Sequence, residues 1–446
     1  MLKDLLKINL PGTGDYEAAR MGWNLTVDQH PSIIIEVRTI EDVAHAINFA
    51  ETNGLKIAVQ STGHGMVLPC NGQLLIKTAK LNRITLDAGR ERVHIEAGAL
   101  WSAVVGVTHP AGLAPLCGFA PTVGVVGYTL NGGFGWLVRK YGVAVDSVLS
   151  VDLVTMSGEV LNVSPFSDPE LFWGLCGGGA NLGIITAIEL KLFPVKEVFA
   201  GKFLFPVERS QQVLEVYSQW SSGLPEELTS AIKIGRLPPD PRIPEAFRGK
   251  HMIVVAGCFL GSEERGLPLF GPIRALTPAH ESLGMFRYDQ LAGFNGDPAD
   301  PKKLYVRVEL LDELSPGLVK KLSDKILQDS VAQSLLFELR HVGDGVMARE
   351  QGSRSAFCHR QTRYILNVIA ILPPEVDYAT AAAEIQPLVA ELSEYTTGKT
   401  FGNFLSYGDA ADRICAAYTT EALERLLSLK AKFDPKNVLV SNLYDI

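Results

Sequence analysis

Between Gly118 and Trp136 the chain places six glycines in nineteen residues, Gly118, Gly124, Gly127, Gly132, Gly133 and Gly135, among β-branched and aromatic neighbours. Each glycine inside a helix costs roughly 1 kcal/mol relative to alanine, so this spacing argues against a regular helix. It predicts backbone laid flat against a large planar ligand, with a glycine-rich structural turn as the plainer alternative. A second cluster, Val59-Gln60-Ser61-Thr62-Gly63-His64-Gly65-Met66, sets two glycines and two hydroxyls around one histidine. Small residues with free N–H groups let a backbone approach a phosphate closely. Taken alone, the stretch reads more simply as a Gly-Ser turn with a partly exposed histidine. A third cluster, Leu175 to Thr186, leads into an alternating strand from Ala187 to Phe193. A nicotinamide-type Rossmann turn leaves a strand and opens a helix, so this order excludes one. Three separated glycine-rich loops before residue 190 predict one extended cofactor clasped by several of them.

The surrounding pattern is that of an ordinary globular chain. At 446 residues it is too long for one simple core, which predicts two domains or one with a large insertion. Hydrophobic residues make up 47% and charged residues 20%, and the net charge of −8 argues against a nucleic-acid or anionic-membrane surface. No apolar run is long enough to cross a membrane, and the charged N-terminal segment does not read as a secretory signal. Six cysteines without a CxxC predict reduced thiols, a cytoplasmic location and no structural zinc or other metal.

Taken in order, Ile33 to Val37 reads as a buried strand, and Glu41-Asp42 open an amphipathic helix that buries Val43, Ala46, Ile47 and Ala50 and closes at Asn53-Gly54. Lys56 to Val59 is the next strand, so a βαβ unit ends in the His64 loop, which favours a phosphate site. A helix is expected from Leu100 to about Thr108. From about Val195 the texture changes to longer strands and helices, with helices expected at Pro316–Ser330, Tyr378–Tyr395 and Glu421–Lys432 and a strand over Arg363–Ala370.

At this point the residues resemble a known family. Trp23-Asn24, Gly63-His64, Gly98-Ala99-Leu100-Trp101, Pro121-Thr122-Val123-Gly124, Gly132-Gly133-Phe134-Gly135-Trp136-Leu137, Arg139-Lys140-Tyr141-Gly142, Leu171-Phe172-Trp173-Gly174, Gly177 to Gly183, Ala356 to Arg360 and Phe433-Asp434-Pro435-Lys436-Asn437 occur in order across nearly the whole chain. They resemble the berberine-bridge-enzyme-like FAD-linked oxidases of the vanillyl-alcohol oxidase / p-cresol methylhydroxylase superfamily. The resemblance implies an α+β fold: a two-part FAD-binding domain of the p-cresol methylhydroxylase type, residues 1–195 with a C-terminal return at 405–446. Between these it implies a substrate domain, 196–404, with an antiparallel sheet flanked by helices.

The same resemblance assigns roles. His64 takes the position bonded to the flavin 8α-methyl carbon, where a neutral imidazole nitrogen serves as nucleophile. Ser61, Thr62, Gly63 and Gly65 are expected to hold the pyrophosphate, with Met66, Pro121, Thr122, Trp136, Gly142 and Val143 also at the cofactor. Gly124, Gly127, Asn131, Gly132, Gly133 and Gly135 would let backbone approach it, Asn181, Gly183 and Ile185 would line its other side, and Asn437 would reach it from the tail. Tyr128 is expected to flank the isoalloxazine.

The chain departs from the pattern twice. Many relatives carry a second tether, a cysteine just before Pro-Thr-Val-Gly, where this chain has Ala120; attachment is therefore expected through His64 only, with Cys117 as a buried structural thiol. Relatives also carry a tyrosine two residues before the asparagine of Tyr-x-Asn, where this chain has Phe401 ahead of Asn403. Tyr407, His359 or His341 are the candidates to replace its phenol, unless the substrate is an amine that needs no strong base. Val123 falls on the oxygen-gating position, and valine there resembles oxidases. The resemblance thus implies an FAD-dependent oxidase that removes a hydride from a C–H next to O or N of a small, moderately apolar alcohol, amine or secondary metabolite. Dioxygen is the expected acceptor, reduced to H2O2. A dehydrogenase of the same fold and a flavoprotein with non-redox or lost activity are the alternatives.

Overall fold

The computed structural model describes residues 6–241, 243–349 and 354–440. The ends of the two expected FAD-binding segments, residues 1–5 and 441–446, lie outside the described residues. Among the described residues the chain forms three sheets with helices between and around them.

The first sheet has the order β1-β2-β4-β3, from β1 (Lys7–Asn9), β2 (Ile33–Glu36), β3 (Ile57–Gln60) and β4 (Leu74–Lys77). Strands β2, β4 and β3 run parallel, and β1 joins antiparallel at the edge. Helix α1 (Ile40–Asn53) makes the crossover from β2 to β3. It starts where Thr39 and Asp42 bond each other's backbone N–H and ends at Gly54, whose φ of 64° is the left-handed geometry glycine adopts freely. Val43, Ala46, Ile47 and Ala50 are its buried face, as their spacing predicts. The free edge of β3 is covered by the tail: Ile57 N–H donates to Val438 O at 2.8 Å and Val440 N–H donates to Ile57 O at 2.7 Å. Asp434 shapes that tail, its carboxylate accepting from Val438 N, Leu439 N and Lys430 Nζ at 2.8, 2.9 and 2.7 Å.

The second sheet is antiparallel throughout, ordered β5-β6-β9-β7-β8, from β5 (Ile84–Asp87), β6 (Arg92–Glu96), β7 (Val148–Val154), β8 (Val160–Val163) and β9 (Ile184–Lys191). Helices α2 (Trp101–Thr108), α3 (Val125–Leu130) and α4 (Pro169–Gly178) share its apolar core. Helix α3 corrects the expectation for the Gly118–Trp136 segment, which does contain a regular turn of helix. Only Gly127 lies inside it, and burial of Val125, Val126, Thr129 and Leu130 offsets that one glycine. Helix α4 breaks near its end, where Gly177 takes φ 110°. Strand β9 begins at Ile184, three residues before its expected start.

The third sheet has seven antiparallel strands in the order β13-β10-β12-β11-β15-β16-β14. These are β10 (Glu197–Pro206), β11 (Leu228–Arg236), β12 (His251–Phe259), β13 (His280–Arg287), β14 (Leu304–Leu311), β15 (Leu336–His341) and β16 (Tyr364–Ile371). One face carries Phe203, Phe205, Ile232, Ile234, Phe337 and Leu339 against helices α5 (Ser210–Ser222), α6 (Pro316–Gln328) and α7 (Tyr378–Ala390). The opposite face is lined by small residues, Ala200, Ala231 and Ala256, which pack on Leu116, Phe119 and Trp136. Strand alternation assigns the two faces.

A buried arginine fastens the third sheet to the preceding half. Arg139 donates from Nε to Gly343 O at 2.8 Å, from Nη1 to Pro225 O at 2.7 Å and from Nη2 to Leu224 O at 3.1 Å. Asp146 and Arg360 add a two-pronged pair at 2.7 and 3.0 Å. Helix α8 (Thr420–Phe433) then returns to pack on α4, with Leu426 and Leu429 against the glycines of that helix. The fold class is the expected one, α+β with an antiparallel sheet flanked by helices. No described helix is long and apolar enough to cross a membrane.

Candidate active site

The C-terminal end of β3 delivers the chain to the His64 loop, and that loop walls a cavity of about 430 Å³. The loop needs its glycine: Gly63 has φ 76°, and a Cβ there would stand 2.7 Å from both Gln60 Nε2 and Gly22 Cα. Its conformation is fixed by the chain at 22–24, where Trp23 N–H donates to Thr62 O at 2.8 Å and Asn24 N–H to Gly63 O at 3.2 Å. The imidazole of His64 is held on three sides. Nδ1 lies 3.0 Å from Thr62 Oγ1, Nε2 lies 3.2 Å from Thr122 Oγ1, and Trp23 stacks on the ring. Burial pushes its pKa down to about 4, so the ring is neutral at neutral pH.

The opposing wall comes from 118–128. Pro121 O and Val123 O accept from the first N–H groups of α2, those of Ser102 and Trp101, at 3.0 and 3.1 Å. This sets Gly124 against the His64 loop, where its Cβ would meet Ser61 Oγ at 3.3 Å. Helix α3 starts there, and Gly127 faces open space. A third wall is Ala180, Gly183, Ile184 and Ile185, and a fourth is Gly402, Asn403 and Phe404.

Of the residues expected at the cofactor, Ser61, Thr62, Gly63, His64, Gly65, Met66, Val123, Gly124, Gly127, Tyr128, Asn131, Gly183 and Ile185 line the cavity. Pro121 and Thr122 do not line it, although Thr122 Oγ1 reaches His64 Nε2. Gly132, Gly133, Gly135, Trp136, Gly142, Val143, Asn181 and Asn437 do not line it. The glycines among these are explained by protein neighbours: a Cβ on Gly132 would meet the Phe357 ring at 2.6 Å, on Gly133 the Tyr128 ring at 2.6 Å, on Gly135 the Cys117 carbonyl at 1.8 Å and on Gly142 the Asp146 carboxylate at 2.7 Å. Asn403 ties this region together, accepting from Gly133 N at 2.7 Å and donating to Tyr128 O at 2.8 Å. Trp136 is buried between Phe119 and Phe294, and Asn437 sits in the turn after α8.

The residues weighed as bases fare differently. Phe401 is buried and stacked on Phe357. His359 Nε2 lies 2.9 Å from Ala416 O, Tyr407 packs edge-on against Tyr378, and His341 stacks on Tyr364; none of the three lines the cavity. Tyr128 does, with its hydroxyl buried and without a partner among the described residues. Burial holds that phenol well above its ordinary range. Cys117 turns away to Tyr288, Sγ to Oη 3.1 Å, and its thiol is pushed up to about 11, while Ala120 lines the cavity.

Reading the sequence missed a charged cluster on the small-residue face of the third sheet. Lys233 and Glu338 are paired across β11 and β15, and Glu338 faces Asn367 on β16. Glu338 Oε2 accepts from Arg340 Nε at 2.7 Å, and Lys233 Nζ reaches Asp297 Oδ1 at 2.9 Å and Glu338 Oε1 at 3.4 Å. Asp297 and Arg340 line the cavity as its carboxylate and its guanidinium. The alternation of Leu336 to His341, apolar at 337 and 339 and charged at 338 and 340, is the signal that marks them.

Two features fit a flavin dinucleotide. The glycine-lined walls leave room where side chains would intrude, and three buried polar atoms on the lining, Ser61 Oγ, Thr78 Oγ1 and Tyr128 Oη, have no partner among the described residues. Comparison with known proteins agrees. Residues 31–164 match the family described as FAD binding domain, and with the cavity this defines an FAD-linked oxidoreductase, whose fold is that of berberine-bridge-enzyme-like structures. The chain is 25% identical over 449 residues to (R)-6-hydroxynicotine oxidase of Paenarthrobacter nicotinovorans, covering 96% of this chain and 93% of that one. Among solved structures, the BBE-like 1 protein of Physcomitrella patens has a TM-score of 0.86 at 20% identity, covering 99% of this chain and 98% of the other. Glucooligosaccharide oxidase of Acremonium strictum, described with a 6-S-cysteinyl, 8α-N1-histidyl FAD, has a TM-score of 0.84 at 19% identity, covering 99% and 97%.

Proposed function

We propose that this chain is an oxidase that takes a hydride from a C–H next to oxygen or nitrogen of a small substrate and uses dioxygen as acceptor. The observation that carries the reading is His64, neutral and clamped between Thr62, Thr122 and Trp23 at the wall of a glycine-lined cavity. A neutral imidazole keeps the lone pair that bonding to the flavin requires. Ala120 stands where relatives have a cysteine, and Cys117 is occupied with Tyr288, so the tether is single, through His64. Ser61, Thr62, Gly63 and Gly124 hold the diphosphate by backbone and hydroxyl, and Tyr128 donates its hydroxyl to the ring system. The flavin, when bound, supplies the hydride acceptor. Val123 on the cavity wall supports dioxygen as the final acceptor. The segments 1–195 and 405–446 carry the flavin, and 196–404 carry the substrate face.

The test is to purify the chain, precipitate it with acid and measure where the flavin absorbance goes. Absorbance staying with the pellet, and leaving it in His64→Ala, is the expected result. A panel of alcohols, oligosaccharides and amines, 6-hydroxynicotine and glucooligosaccharides included, is then screened anaerobically for flavin reduction. Admission of air should restore the oxidised spectrum within seconds and release H2O2; recovery over many minutes counts against dioxygen.

A further inference from the structure

Oxidation at a C–OH or C–NH carbon releases a proton as well as a hydride, and a group at the reacting face must take it. Phe401 has no hydroxyl, and Tyr407, His359 and His341 are off the cavity. Tyr128 reaches the cavity, but burial keeps its phenol protonated, so it serves only as a donor. Glu338 is almost fully buried, and its two oxygens are taken by Arg340, Asn367, Lys233 and Asn295. One carboxylate on the lining is left, Asp297, in the segment between β13 and β14. Its Oδ1 accepts from Lys233 Nζ and Asn295 Nδ2, both at 2.9 Å, while Oδ2 has no hydrogen bond among the described residues.

Resting on the function proposed above, we infer that Asp297 is a catalytic residue whose Oδ2 accepts the hydrogen of the substrate's reacting O–H or N–H group. The hydride leaves the carbon with both electrons of its C–H bond and passes to the flavin. The O–H or N–H bond breaks, its electron pair becomes the π bond of the new C=O or C=N, and the proton bonds to Oδ2 and passes on to water. Lys233 and Arg340 keep the carboxylate ionised and below its ordinary pKa. That is no handicap, because a hydroxyl on a carbon losing hydride becomes a far stronger acid than any carboxylic acid. Glu338, Asn295 and Lys233 are the frame that aims the group.

Sulfite tests this without knowledge of the substrate, since this anion adds reversibly to the reacting face of a bound flavin and bleaches it. The full-length, flavin-loaded chain is compared with Asp297→Asn and Asp297→Ser. Both variants are expected to hold wild-type amounts of flavin and to bind sulfite about tenfold more tightly, because a negative charge beside it is gone. Reduction by any compound of the panel above that reduces the wild type should slow about 100-fold or more. Sulfite affinity unchanged in both variants overturns the assignment, as does reduction within about threefold of wild type. A wild-type chain that holds no flavin refutes the proposed function instead, so the two failures are distinct.

Discussion

The indole of Trp23 lies flat on the imidazole of His64, with ring centroids 4.2 Å apart and planes 13° from parallel. The same indole donates from Nε1 to Ala299 O at 3.1 Å, and Lys302 N–H donates to Trp23 O at 3.1 Å. One side chain therefore joins the flavin-side loop to the segment that carries Asp297. Replacing Trp23 by alanine removes the stacking surface and frees the imidazole to turn. On the proposed tether, the expected outcome is a chain that folds but keeps well under half of the flavin absorbance that the wild type keeps in the acid pellet.

Gly63→Ala forces a side chain into a left-handed backbone and against Gln60 and Gly22. The strain alone costs about 1–2 kcal/mol. Since the loop must shift to relieve it, flavin binding should fail before folding does. Fluorescence titration with FAD, alongside a urea melt, separates the two effects.

Asn403 bridges Gly133 N–H and Tyr128 O, and its alanine variant leaves both partners without it. The loss should be about 2–3 kcal/mol, seen as a lower denaturant midpoint at unchanged slope. Asn403→Asp should recover the acceptor half only.

Acid should weaken the fold of the flavin-free chain through two histidines, His341, which is buried, and His64, which is half-buried. His64 and His341 are each depressed from 6.5 to about 4, burial being the first cause in both. The unfolded chain takes up protons that the native state refuses, so this contribution to stability is full above pH 6.5 and is lost as pH falls from 6.5 towards 4. With both groups the slope reaches at most about 2.7 kcal/mol per pH unit. Urea unfolding at pH 7, 6 and 5 measures it, and His341→Phe should flatten roughly half of the slope.

What the sequence disclosed, and what it withheld, follows from how local each cause is. Thr39, Asp42 and Gly54 mark the ends of α1 because caps act within a few residues, and the βαβ unit leading to His64 is legible for the same reason. The glycines of 132–135 advertise close approach just as clearly, yet a missing Cβ does not say what approaches. The neighbours here are Phe357, Tyr128 and the Cys117 carbonyl, brought in by the fold. Asp297 escaped notice because its partner Lys233 is placed beside Glu338 only through the register of β11 and β15. The same limit hid the burial of Phe401 in an aromatic stack. A lost tyrosine in a motif says that a phenol is gone, whereas only the packing shows which groups remain on the cavity wall.

The strand-like tail at Val438–Val440 completes the sheet from which the His64 loop springs, although it is made almost a whole chain later than Ile57. A ribosome therefore finishes the flavin-side loops long before their supporting edge exists. Flavin capture by that loop is expected to wait for this tail, so a chain cut back to end before residue 438 should purify colourless however much FAD surrounds it.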